Sequence, residues 1–154
     1  MSITHNQNIY VLFARDVSTD ASDGMNTITK VIEKFTFTVP EEDYHLHTQN
    51  TDSEPKLYPV EYMIATAWYL ERKLKEDTDF TVELELVSES GKNLGGPNQT
   101  FTVPQGKDRI TVNMGVNGIP VDISGTYRMN AALVLQGKRI AEGSYPIEVL
   151  VAKA

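Results

Sequence analysis

Apolar and polar side chains take alternate positions along five stretches of this chain, and no other feature constrains its fold as strongly. Phe80, Val82, Leu84 and Leu86 interleave with Thr81, Glu83 and Glu85, and Ile110, Val112 and Met114 interleave with Arg109, Thr111 and Asn113. Tyr127, Met129, Ala131, Leu133 and Leu135 form a third row, Phe35, Phe37 and Val39 a fourth, and Ile147, Val149 and Val151 a fifth. A period of two puts every second side chain on one face of an extended backbone. Each row therefore predicts a strand with one buried and one wet face.

Turn signals separate the rows: Asp23-Gly24, Ser90-Gly91, Asn117-Gly118 and Ser124-Gly125. Gln136-Gly137-Lys138 predicts a tight hairpin, because glycine accepts the positive φ such turns need. Short strands with regular turns predict an antiparallel sandwich or barrel. Pro146 fits an edge strand or a bulge, since proline has no N–H to give a central ladder. The first strand, Ile9–Ala14, is apolar on both parities, which predicts burial on both sides or contact with another chain. Pro40–Pro59 reads as the one long linker: acidic, polar and with three prolines.

The stretch VEYMIATAWYLERKLK, residues 60–75, fits two structures. Its Ala, Met, Leu, Glu, Arg and Lys are good helix formers, and Glu71 and Lys75 would pair at i,i+4. As a strand it puts Tyr62, Ile64, Thr66, Trp68 and Leu70 on one side and Met63, Ala65, Ala67 and Tyr69 on the other. Strands on both sides of it favour the strand, running to about Arg72. The second face is then unusually apolar. Met63, Ala65, Ala67 and Tyr69 form the candidate interaction face, meeting a covering loop such as residues 40–57, a protein partner or a second copy.

With 154 residues the chain is of ordinary size for one domain, residues 1–154. Such a domain buries enough surface to fold without metal or disulfides. The chain has no cysteine, which excludes disulfides, thiolate zinc sites and cysteine nucleophiles. A net charge of -7 disfavours nucleic acid and anionic lipid, which need a basic face. No apolar run approaches the roughly 20 residues that span a bilayer. The start, MSITHNQN, lacks the pattern of a signal peptide, so a cytoplasmic location is expected.

From residue 59 onward the layout resembles an uncharacterised bacterial family of short immunoglobulin-like β-sandwich proteins, a domain of unknown function. The matching segments are YPVEYMIATAWYLER, FTVELELV, SESGK, QTFTV, DRITVNMGV and SGTYRMNAALVLQGKRIAEGSYPIEVLV. IYVLFARDVSTDASDG is similar to that family's start, and MNTITKVIEKFTF would be its second strand. Where the resemblance calls for a small residue and a glycine, this chain has Thr29 and Lys30. The resemblance supports strand over helix for residues 60–72 and implies no activity and no functional residues.

Candidate chemistry is sparse. His45 and His47 would share one face of an extended segment and could hold a transition metal, but only Glu41, Glu42 and Asp43 are near for a third ligand. Asp16, Asp20 and Asp23 could hold calcium in the first long turn, though the spacing is not that of an EF-hand. There is no G-x-S-x-G elbow, and Gly95-Gly96-Pro97 lacks the Lys-Ser/Thr of a phosphate loop. Glu83 and Glu85 share a wet strand face, where carboxylates are ordinarily solvated. Trp68 in an apolar strand reads as core rather than a stacking platform. The expectation is an all-β, immunoglobulin-like antiparallel sandwich of about seven to nine strands. It would be a non-catalytic interaction or structural module acting through loops or an edge strand. The alternative is a small-ligand module for carbohydrate or calcium. No cofactor is expected.

Overall fold

The computed structural model describes residues 6–19, 26–42, 44 and 55–154. Their nine strands are β1 (Gln7–Thr19), β2 (Asn26–Val31), β3 (Lys34–Val39), β4 (Lys56–Tyr69), β5 (Thr78–Val87), β6 (Asn98–Val103), β7 (Arg109–Val121), β8 (Gly125–Leu135) and β9 (Lys138–Lys153). They form two sheets, one ordered β2-β1-β4-β7 and the other β3-β9-β8-β5-β6. All neighbours are antiparallel except β3 and β9, which run parallel.

Alternation positions the core as the sequence predicts. Along β5, Phe80, Val82, Leu84 and Leu86 are buried, while Thr81, Glu83 and Glu85 are half-buried on the opposite face. Tyr127, Met129, Ala131 and Leu133 of β8 and Ile147, Val149 and Val151 of β9 join them from the same sheet. Val11, Phe13, Tyr62, Ile64, Trp68, Ile110, Val112 and Met114 close the core from the other sheet. Burying one such side chain contributes roughly 1.5–3 kcal/mol, so this shared apolar layer holds the sheets together. At one end the rings cluster, with Tyr62 5.3 Å from both Phe13, which it meets edge-on, and Phe35, against which it is tilted. Trp68 is fully buried, and its indole N–H donates to Thr66 Oγ1 at 3.0 Å, whose hydroxyl donates in turn to the Val112 carbonyl at 2.9 Å.

Residues 60–75 are strand only as far as Tyr69, three residues short of the expected end. β4 has β1 and β7 as neighbours, so it lies inside its sheet, and the ladders outweigh the helical propensity of its side chains. The expected linker at 40–59 is also shorter than predicted, because β4 begins at Lys56. Pro59 sits within β4 at a register shift between Tyr58 and Glu61, the kind of bulge where a central strand tolerates proline. Asn117-Gly118 is not a turn but lies opposite that bulge within β7, with Gly118 at φ +85°. MNTITKVIEKFTF is not one strand: Ile32 and Glu33 interrupt it, and β2 and β3 join opposite sheets. Pro146 pairs with Arg128 on one side only, since β3 joins β9 from Glu148 onward, so β9 is an edge at that point. The 135–138 hairpin forms as predicted, with Gln136 at φ +51° and Gly137 at φ +77°.

The parallel β3–β9 pair and the order β9-β8-β5-β6 match an immunoglobulin-like arrangement, as does a buried tyrosine near the start of β8 that bonds to backbone just upstream.

Candidate functional site

On the outer face of the five-stranded sheet the side chains opposite the core are polar, and register brings them into rows. Glu85 of β5 lies beside Asn130 of β8, which lies beside Ser144 of β9. The next row runs Asn98, Glu83, Ala132 and Glu142 across β6, β5, β8 and β9. Small Ala132 lowers the floor between the two glutamates. The result is an open groove of about 690 Å3.

One wall of this groove is backbone. Residues 93–97 lie along β5, with Leu84 N–H donating to the Pro97 carbonyl at 3.1 Å and Leu86 N–H to the Gly95 carbonyl at 2.8 Å. The Leu94 N–H returns a bond to the Leu86 carbonyl at 2.7 Å. Gly96 is so close to β5 that a Cβ there would stand 2.2 Å from the Leu84 carbonyl oxygen. That contact is the reason for Gly95-Gly96-Pro97, a motif that resembles a phosphate loop only in composition. The floor is supported from behind: Asn8 of the other sheet fills the space where Gly143 lacks a Cβ and donates to the Tyr10 and Ala67 carbonyls at 3.1 and 3.2 Å.

The groove is electrostatically uneven. Glu83, Glu85 and Glu142 line it against one cation, Arg139. That guanidinium is shared, at 3.7 Å from Glu83 and 3.4 Å from Glu142. Arg128, at the rim, donates to the Ser144 hydroxyl at 3.1 Å. Among the described residues the Glu85 side chain makes no hydrogen bond or ion pair.

A second polar cluster lies at one end of the sandwich. The Tyr127 hydroxyl is 2.7 Å from Asp122 Oδ1 and 2.6 Å from the Ile123 carbonyl, sharing one proton between them, and it accepts the Asp122 N–H at 3.0 Å. Ser90 donates to Asp122 Oδ2 at 2.9 Å, and Ser88 and Ser90 are 2.8 Å apart. Burial raises the Asp122 pKa, but bonds from Tyr127, Ser88, the Ile123 N–H and Ser90 outweigh it and hold the carboxyl below its ordinary value. Burial pushes the Tyr127 phenol up, helped by the Asp122 bond. With Asp122 taking bonds from Ser90 on one side and Tyr127 on the other, this cluster fastens the 88–92 turn to the β7–β8 connection.

Met63, Ala65, Ala67 and Tyr69 share the outer face of the four-stranded sheet, as predicted, beside Tyr10, Leu12 and Ala14 of β1. Ala65 and Ala67 are fully buried, Met63 is half-buried and Tyr69 is exposed, so the solvent-facing part of this row is its two ends. His45, His47, Asp20 and Asp23 lie outside the described residues, and Asp16 pairs with Thr29 in the β1–β2 ladder. Among the described residues no group of three His, Asp or Glu side chains is placed to hold a metal ion, and no helix is long and apolar enough to cross a membrane. Sequence reasoning named Glu83 and Glu85 but missed the groove, whose walls come from residues about 50 positions apart in the chain. The one local signal was Gly95-Gly96, two glycines in a row ahead of a strand.

No family model matches the chain, and no curated protein matches it. Among solved structures, a glycosyl hydrolase family 2 member from Bacteroides cellulosilyticus aligns at 13% identity and TM-score 0.47, over 62% of this chain and 14% of that one. A β-glucuronidase from glycoside hydrolase family 2 aligns at 16% identity and TM-score 0.48, over 74% of this chain and 12% of that one. Pseudomonas fluorescens alkylpurine DNA glycosylase AlkC, bound to DNA with an abasic site analog, aligns at 8% identity and TM-score 0.42, over 94% of this chain and 30% of that one. The chain thus spans less than a third of each, and likeness of this degree carries no argument about activity.

Proposed function

We propose that this chain is a non-catalytic recognition module whose binding surface is the groove across the outer face of the five-stranded sheet. The carrying observation is the groove itself: about 690 Å3, lined by Glu, Asn, Ser and Arg side chains on a floor of paired strands. That volume is in the range of ligand sites, roughly 300–1,000 Å3, and strand-mounted polar groups need little reordering to bind. Among the described residues, the buried hydroxyl–carboxylate cluster at Asp122 acts as a fastening, and the proposal assigns no reaction.

Selection of a random peptide library on the wild-type protein, followed by binding to a Ser144→Trp variant that plugs the groove, tests this. Selected peptides should bind the wild type, shift the amide resonances of Glu83, Asn130 and Ser144, and fail on the plugged variant. Equal binding to Ser144→Trp, or no enriched peptide, would sink the proposal.

A further inference from the structure

We infer that the natural occupant of the groove is an extended, basic peptide segment of a partner protein, an inference that rests on the groove being the recognition surface. The first argument is charge complementarity. Three carboxylates, Glu83, Glu85 and Glu142, stand against Arg139 in the groove and Arg128 at its rim; Arg139 divides itself between Glu83 and Glu142 at 3.7 and 3.4 Å, and Arg128 is engaged by the Ser144 hydroxyl. The Glu85 side chain is left over, with the Asn130 amide oxygen in its row as a further acceptor for an ammonium or guanidinium group. Charge-assisted bonds of that kind are stronger than neutral ones. The Arg139 pairs are long and exposed, so an incoming cation can displace them with little loss.

The second argument is shape. The groove is open along the sheet surface rather than enclosed, which suits an extended chain laid across it. A small molecule would instead be surrounded on most sides. Its wall, residues 93–97, is backbone drawn against β5, and its floor carries small side chains at Ala132 and Ser144. Period-two side chains of an extended peptide would place alternate Lys or Arg over successive carboxylate rows, because strands rise about 3.3 Å per residue.

The test uses the peptide Gly-Lys-Gly-Lys-Gly, its Nε-acetylated form and spermidine, titrated against wild type, Glu85→Gln and Ser144→Trp by calorimetry and NMR. The basic peptide should bind, weaken about three- to fivefold on Glu85→Gln, and weaken at least as much on acetylation. Raising salt should weaken it further. Acetylated peptide binding as tightly as the basic one, still blocked by Ser144→Trp, would overturn the basic occupant and leave the groove standing. Basic peptide binding unaffected by Ser144→Trp would overturn the groove as well. Spermidine binding as tightly as the peptide would overturn the peptide class, and a basic peptide that does not bind at all would overturn the inference outright.

Discussion

The Tyr127 hydroxyl serves Asp122 Oδ1, the Ile123 carbonyl and the Asp122 N–H within a fully buried setting. Removing it takes that partner from the buried Asp122 groups and the partly buried Ile123 carbonyl, and a buried unsatisfied polar group costs about 1–3 kcal/mol. Tyr127→Phe should therefore lower stability by about 2–3 kcal/mol, read as a fall of roughly 5–10 °C in Tm for a chain of this size. Lys30 carries the opposite lesson. Its φ of +58° is a conformation that costs a side-chain-bearing L-residue roughly 1–2 kcal/mol. Glycine avoids that cost but loses about 0.5–1 kcal/mol in chain entropy. Lys30→Gly should thus stabilise by about 0.5–1 kcal/mol, while Lys30→Ala should not, as urea midpoints would show. The backbone at Lys30 holds a conformation that glycine adopts freely. That strain was not legible in the letters and needed the dihedral angle.

Among elements, the wall along β5 shows what a short glycine pair can decide. A Cβ on Gly96 would meet the Leu84 carbonyl oxygen and carbon at 2.2 and 2.6 Å, and neither backbone atom can give way. Gly96→Ala should peel residues 93–97 from β5, losing the Leu84–Pro97 and Leu86–Gly95 bonds, at about 2–4 kcal/mol. Gly91→Ala meets open space and bears only the strain of φ +86°, about 1 kcal/mol. Denaturant melts of the two variants separate close approach from conformational strain, and equal losses would refute the contact. Strands were the legible part of this fold. Rows such as Phe80–Leu86 and Tyr127–Leu135 carry their own period, and the core falls on the predicted side of each. Boundaries were less legible at β4, where apolar residues on both parities erase the alternation and only pairing with β1 and β7 fixes the strand. Beyond the Gly95-Gly96 pair, the groove was not legible. It depends on which strands become neighbours, and nothing local to Glu85 indicates that Asn130 and Ser144 will lie beside it.

Across the whole molecule, both ends of the pH range act on buried groups, with opposite signs. Asp122 is held below its ordinary value, so its contribution is present above about pH 4, the unfolded range, and is lost as pH falls through the lower folded value. Tyr62 is buried, and its phenol is pushed up to about 12, while Tyr127 and the partly buried Tyr145 are also raised. A raised phenol contributes fully below about pH 10 and loses that contribution as pH rises through its folded value. In that window the unfolded chain releases protons that the folded chain keeps, so unfolding free energy falls with pH. Each tyrosine that stays protonated contributes a slope of about 1.4 kcal/mol per pH unit. With Tyr62 and Tyr127 both fully or nearly enclosed, the slope between about pH 10 and 12 should approach twice that, steep enough to exhaust a typical stability of 5–15 kcal/mol within a few pH units. Urea midpoints followed across pH should trace both limbs. Tyr62→Phe, which gives up only a 3.2 Å bond to the Gly118 carbonyl, should flatten the alkaline limb by about half while leaving the acid limb in place. An alkaline limb of unchanged slope in Tyr62→Phe would mean that the ring is not enclosed in solution, and with it the aromatic end of the core would come into question.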